Sequence, residues 1–195
     1  MKTILQIILI ISFSSYAQTD NNETVIKDIR EKYSIITQSL NNNKYSEHKT
    51  SYYCMDAEDA AVSIYFDDNG IKLIKNILYR GGHSWKNEYY YVWENKLFFV
   101  YTQGGSWTYV GPNDNSNTAV TVSKITEKRV YFNDEKAIRC LTKDYKSISN
   151  AEVKSENIPN KKTNCDKAQE LINRYKKLFT LKMLNKKEFG CIWEN

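Results

Sequence analysis

Residues 85–110 read WKNEYYYVWENKLFFVYTQGGSWTYV, the densest aromatic block of the chain. Glu88–Trp93 and Leu97–Tyr101 are β-branched or aromatic almost throughout, a composition suited to a pleated, half-buried surface. Glu94-Asn95-Lys96 between them supplies a tight polar turn. The block therefore reads as the central hairpin of an antiparallel sheet, and the rest of the chain is placed around it.

Working outward, Ala61–Phe66 alternates with Val62, Ile64 and Phe66 on one face, and Asp67-Asp68-Asn69-Gly70 turns it into a return strand, Ile71–Tyr79. That acidic turn lacks the spaced ligands and closing glutamate of a calcium loop, so it reads as a hairpin turn. A first strand is expected around Thr50–Cys54. Thr118–Ile125, Arg129–Phe132 and Ala137–Leu141 are further strands, with Asn133-Asp134-Glu135-Lys136 between the last two. Three segments look alike. Tyr65 to Ile71, Val92 to Leu97 and Tyr131 to Ile138 each run aromatic, polar turn, aliphatic, at unequal separations that fit a meander of hairpins and not a fixed-period solenoid.

Two amphipathic helices flank the strands. From Glu23 to Leu40, the apolar positions Ile26, Ile29, Tyr33, Ile36 and Leu40 recur at helical spacing, after a polar leader at 18–22 expected to fray. Asn164–Leu184 places Ala168, Leu171, Ile172, Tyr175, Leu178 and Phe179 on one face and lysines on the other. Residues 143–162 are polar and contain Pro159, and are expected to form a long irregular connection. The resulting fold class is α+β: an antiparallel meander of about six to eight strands with an N-terminal and a C-terminal helix packed on it. At the level of architecture alone this plan resembles exported proteins of Gram-negative bacteria, a resemblance that carries no functional residue with it.

The chain opens with Met1-Lys2, the apolar run Ile4–Phe13, and small residues at Ser15 and Ala17. This is the pattern of an export signal covering residues 1–17, cut after Ala17, and leaves residues 18–195 as a single domain that is secreted or periplasmic and has no membrane anchor. Cleavage removes one lysine and no acid, taking the formal charge from +5 to +4. That mild excess, with bases and acids interleaved as in Arg30-Glu31-Lys32, does not point to nucleic acid. Four cysteines, Cys54, Cys140, Cys165 and Cys191, suit a disulfide framework in an oxidising compartment. A Cys165–Cys191 pair would have to span a helix about 30 Å long with a tail that reaches roughly 23 Å, and is disfavoured. Crossed pairings, each strand cysteine with one at a helix end, are preferred over Cys54–Cys140, because they staple the C-terminal helix to the sheet.

Groups for catalysis are scarce, and no sequence motif implies a cofactor or a metal. His48 and His83 belong to no metal spacing, and neither Ser84 nor Ser106 sits in a nucleophile frame. The strongest functional signal is the aromatic surplus: fifteen tyrosines, seven phenylalanines and four tryptophans, clustered on neighbouring strands. Alternation sends Tyr89, Tyr91 and Trp93 to one face and Tyr90 and Val92 to the other. With both helices on one face, rings among Tyr89, Tyr90, Tyr91, Trp93, Trp107 and Tyr109 would form an exposed binding surface for a protein, a glycan or a cell-envelope component. The expectation is an exported, non-catalytic binding protein. A secreted inhibitor or immunity-type protein using the loops after Tyr79 and Gly111 is one alternative. A small hydrolase pairing His83 with Glu88 or Asp114 is the other.

Overall fold

The computed structural model describes residues 3–52, 57–80, 82–112, 119–149 and 153–184, with side chains at 22–52, 60–80, 82–111, 120–149 and 153–180. One eight-stranded antiparallel sheet runs β1 (Ser46–Ser51), β2 (Ala57–Asp67), β3 (Gly70–Arg80), β4 (Ser84–Trp93), β5 (Lys96–Pro112), β6 (Ala119–Asn133), β7 (Lys136–Ile148) and β8 (Lys161–Lys162), in that spatial order. Helix α1 (Thr3–Asn41) precedes it and α2 (Ala168–Leu184) follows it. The expected α+β meander with a helix at either end is the observed plan.

Local chemistry sets the hairpins. Glu94 and Asn95 take φ of 51° and 61°, and Asp134 and Glu135 take 45° and 61°. Positive φ at both central residues matches a turn to the right-handed twist of the strands it joins. At the β2–β3 hairpin Gly70 supplies the positive φ, and the Asn69 N–H donates to Asp67 Oδ1 at 2.8 Å. The likeness of the three segments extends to the ladder itself. Register slips after Tyr65, Tyr91 and Tyr131, leaving Lys72, Phe98 and Ile138 as the extra residue on the returning strand. Each hairpin thus carries a bulge at the same level, and bulges tighten the twist of the strands they interrupt.

The two helices lie on opposite faces. On one, Ile26, Ile29 and Ile36 of α1 pack on Leu73, Tyr91, Phe98, Phe99 and Tyr131. On the other, Leu171, Ile172, Tyr175 and Leu178 of α2 cover Ile74, Tyr90, Val92, Val100, Val130 and Phe132. The sheet is therefore the middle layer of three.

Four boundaries differ from the sequence expectation. α1 is helical from Thr3, through the segment read as an export signal and the polar residues 18–22. The first strand falls at Ser46–Ser51, ahead of the expected 50–54. β6 is continuous through residues 126–128, where the buried Glu127 is held by Tyr145, Arg129 and Lys143 and Lys128 faces outward, so the charges do not form a turn. β7 continues to Ile148, so the irregular connection starts later than 143. A 3-10 turn at Ser155–Asn157 follows, and the chain then crosses the sheet edge as β8, pairing with Leu141 and Thr142. A disulfide between Cys140 and Cys165, with Cα atoms 5.5 Å apart, ties the start of α2 to β7. It belongs to the preferred crossed class; Cys54 and Cys191, like Asp114, lie outside the described residues.

Candidate functional site

Because the helices take opposite faces, the central hairpin is covered on both. Tyr90 is fully buried toward α2 and Tyr91 nearly so toward α1, so both are core residues and not part of a binding surface. Tyr89 and Trp93 are half-buried on the α1 face, Tyr89 stacked on Tyr101 with centroids 5.5 Å apart, and Trp93 between the ammonium groups of Lys32 and Lys72. Trp107 is half-buried under His83, centroids 3.7 Å apart, and Tyr109 is exposed. The six rings do not share one open patch.

His83 and Glu88 are not brought together. Five residues of extended strand separate them by about 16 Å. Glu88 is fully buried on the α2 face, where Oε1 accepts from Arg174 at 2.8 Å and meets Lys86 Nζ at 3.0 Å, and Oε2 accepts from the Tyr90 hydroxyl. Nearby, buried Asn76 accepts from the Tyr52 hydroxyl at 2.8 Å. Among the described residues, no three His, Cys, Asp or Glu side chains approach closely enough to hold a metal ion.

The α1 face holds a different site. Beyond the apolar contact of α1 with the sheet lies a pocket of about 460 Å³. Tyr33 of α1 and Phe99, Tyr101 and Tyr131 of β5 and β6 wall it, and Arg30, Gln103, Glu127, Arg129 and Ser155 supply its polar groups. Register explains the convergence. Tyr101 pairs with Arg129 and Gln103 with Glu127 across β5 and β6, and Glu127 pairs with Lys143 on β7. Alternation then puts Tyr101, Gln103, Glu127, Arg129, Lys143 and Tyr145 on one face.

Glu127 organises this face. It is 1% exposed, and its Oε1 accepts from the Tyr145 hydroxyl at 2.9 Å, while Oε2 accepts from Arg129 at 2.9 Å and faces Lys143 Nζ at 3.3 Å. Burial pushes its carboxyl pKa up, but hydrogen bonds from Tyr145, Arg129 and Lys143 outweigh that, and the net shift is downward. Burial, then Glu127, raises the Tyr101 hydroxyl well out of the physiological range. Arg129 is held three ways: by Glu127, by Asn160 Oδ1 at 2.8 Å, and over the Tyr101 ring at 5.0 Å from its centroid. Lys143 also donates to the Ser155 carbonyl at 2.6 Å, which draws the connection after β7 over the pocket rim.

Chemically, the site offers flat aromatic faces, a fixed guanidinium, a second guanidinium on Arg30, and hydroxyls at Tyr33, Tyr101 and Ser155. Its one carboxylate is already engaged by three donors. Sequence reading did not single out Tyr101, Glu127, Arg129, Lys143 or Tyr145. The available signal was Glu127 and Arg129 two apart, in phase with Ile125 and Tyr131, inside what is one long strand.

The chain matches no protein-family model, and comparison with curated proteins and with solved structures returned no match.

Proposed function

We propose that the protein is an exported, non-catalytic binding protein, and that the pocket between α1 and the sheet receives a small ligand with a flat ring and an anionic group. The observation that carries this reading is the pairing of the wall of Tyr33, Phe99, Tyr101 and Tyr131 with two guanidiniums, Arg30 and Arg129. A pocket of a few hundred cubic ångströms that combines aromatic walls with fixed polar groups suits a small organic ligand. Arg129 is immobilised before any ligand arrives, which lowers the ordering cost of binding. Arg30, Arg129 and Lys143 against Glu127 leave positive charge for a carboxylate, sulfate or phosphate group. An acidic sugar or aromatic acid released from a cell envelope has this chemistry. Export is supported by the Cys140–Cys165 disulfide, a bond suited to an oxidising compartment.

One observation favours a second reading as a secreted inhibitor: Tyr109, Val110 and Ile148 are exposed near the free ends of β5 and β7, suited to contact with a protein.

A thermal-shift panel of aromatic acids, acidic monosaccharides and their neutral counterparts tests the first reading. Acidic ring compounds are expected to raise Tm in the wild type and to lose that effect in Tyr101→Ala and Arg30→Gln. Stabilisation that survives both substitutions would overturn it.

A further inference from the structure

The opposite face of the sheet carries a second concave surface, built from the register of β4 to β7. Reading across the strands, the apolar line Tyr90, Val100, Val130, Cys140 lies under α2. The next line on the same face is Glu88, Thr102, Lys128, Thr142, and the one after it Lys86, Gly104, Thr126, Asp144. The following line is Ser84, Ser106, Lys124, Lys146. The sheet face thus changes from apolar to hydroxylated and cationic within one step, and beside the start of α2 it forms the floor of a groove of about 670 Å³. Lys86, Lys124 and Lys128 come from the floor, and Lys167 and Arg174 from the helix.

Acidic side chains do not cancel this charge. Glu88 is the buried anchor of both Arg174 and Lys86, Asp166 and Glu170 line the groove, and Asp144 on the floor line accepts from the Thr126 hydroxyl at 2.5 Å; among the described lining residues five cations still face three carboxylates. Burial lowers the Lys86 pKa, Glu88 offsets part of that by charge and hydrogen bond, and Arg174 and Lys167 add smaller repulsions. The floor also stays low. A Cβ at Gly104 would lie 3.2 Å from the Trp85 carbonyl oxygen and 3.5 Å from Lys86 Cγ, so a side chain there would crowd the strand beside it.

Spacing selects the ligand. Lys86 and the lysines of β6 are two strands apart, about 10 Å, and Lys124 and Lys128 are four residues apart, about 13 Å. These are backbone spacings, and an extended ligand carrying several charges meets all three lysines without the side-chain ordering that convergence on one small anion would require. Thr102 and Ser106 offer hydroxyls between the cations; Trp85 borders the groove, but alternation places it on the opposite face from Lys86, with Tyr89, so the floor lines themselves give nucleobases no stacking platform.

We propose that this groove binds an acidic oligosaccharide, with Lys86, Lys124 and Lys128 meeting its anionic groups and the floor hydroxyls meeting its sugar hydroxyls. This site is separate from the α1-face pocket and does not depend on it. The test is calorimetric titration at low ionic strength with a galacturonate tetramer, a sulfated tetrasaccharide, a neutral tetrasaccharide and a single-stranded octanucleotide. Binding of an acidic tetrasaccharide but not the neutral one is expected, and the carboxylated and sulfated probes tell which anion is preferred. Lys124→Gln with Lys128→Gln should weaken that binding about tenfold or more, since two exposed charge contacts are lost. Lys44→Gln, exposed at the turn after α1, and Tyr101→Ala should leave it unchanged. No binding of either acidic tetrasaccharide, tighter binding of the octanucleotide, or equal weakening by Lys44→Gln would overturn the proposal.

Discussion

Replacing Glu127 by glutamine removes one negative charge from the α1 face while keeping the shape of the side chain. In the wild type the carboxylate accepts from Tyr145 and Arg129 and faces Lys143, which is only 4% exposed. Glutamine keeps one acceptor oxygen and turns an N–H pair toward groups that are themselves donors. Lys143 keeps the Ser155 carbonyl but loses its counter-charge. Breaking a fully buried pair costs about 3–5 kcal/mol, but the pocket beside Glu127 opens to solvent, so a loss of about 2–3 kcal/mol is expected at pH 7. The pH dependence follows from the lowered carboxyl pKa. A group whose folded pKa lies below its unfolded value of 4.5 contributes stability in full above 4.5 and loses it as pH falls through the folded value. The difference between wild type and Glu127→Gln should therefore be full at pH 7 and smaller at pH 3. Urea unfolding followed by intrinsic fluorescence at both pH values measures it. A difference under about 0.5 kcal/mol at pH 7, the scale of an ordinary surface change, or one that grows on acidification, would refute the placement of Glu127 as a buried charged anchor.

Replacing Cys140 and Cys165 by alanine opens a bridge of sequence separation 25, and should cost about 3.5 kcal/mol in the chain-entropy picture; peptide mapping without reduction should link the two cysteines, and unlinked peptides would contradict the bridge. The paired substitution Glu94→Asn, Asn95→Gly places the residues that tolerate positive φ at the β4–β5 turn, and should raise stability by about 0.5–1 kcal/mol in thermal unfolding. Amino-terminal sequencing of exported material should begin at Gln18, and a start at Met1 would refute cleavage after Ala17.

The hairpin meander was legible because its signals are local. Glu94-Asn95 and Asp134-Glu135 mark turns by polarity between aromatic and aliphatic runs, and the structure places a two-residue turn at each. Helix faces were legible for the same reason: Ile26, Ile29 and Ile36, and Leu171, Ile172, Tyr175 and Leu178, are the buried residues among the described side chains of their helices. Which side of the sheet each helix takes is a long-range choice. The run Tyr89-Tyr90-Tyr91-Val92-Trp93 is apolar on both faces, which alternation alone reads equally well as an open aromatic surface or as the middle of three layers. The α1-face site is hidden in the sequence for a related reason. Glu127 and Lys128 read as a break between two short strands, because a charge inside a strand is recognisable as buried only once its partners on β5 and β7 are known.

Glu88 and Glu127 resolve into one design repeated on the two faces. Each is a buried carboxylate that gathers a tyrosine hydroxyl, an arginine and a lysine: Tyr90, Arg174 and Lys86 for Glu88, and Tyr145, Arg129 and Lys143 for Glu127. They sit one residue line apart along the sheet, since Glu88 pairs with Thr102 and Gln103 pairs with Glu127. At this level the apolar lines under both helices give way to polar ones, and the long strands β5 to β7 run on. A lone buried carboxylate would not be tolerated there, but one that holds two cations satisfies its own lone pairs and leaves one positive charge in excess. The excess appears on each face at the mouth of an open concavity. Both concavities therefore carry a positive excess from the same arrangement that closes the core, and what distinguishes them is the lining: aromatic rings beside Glu127, hydroxyls and glycine beside Glu88.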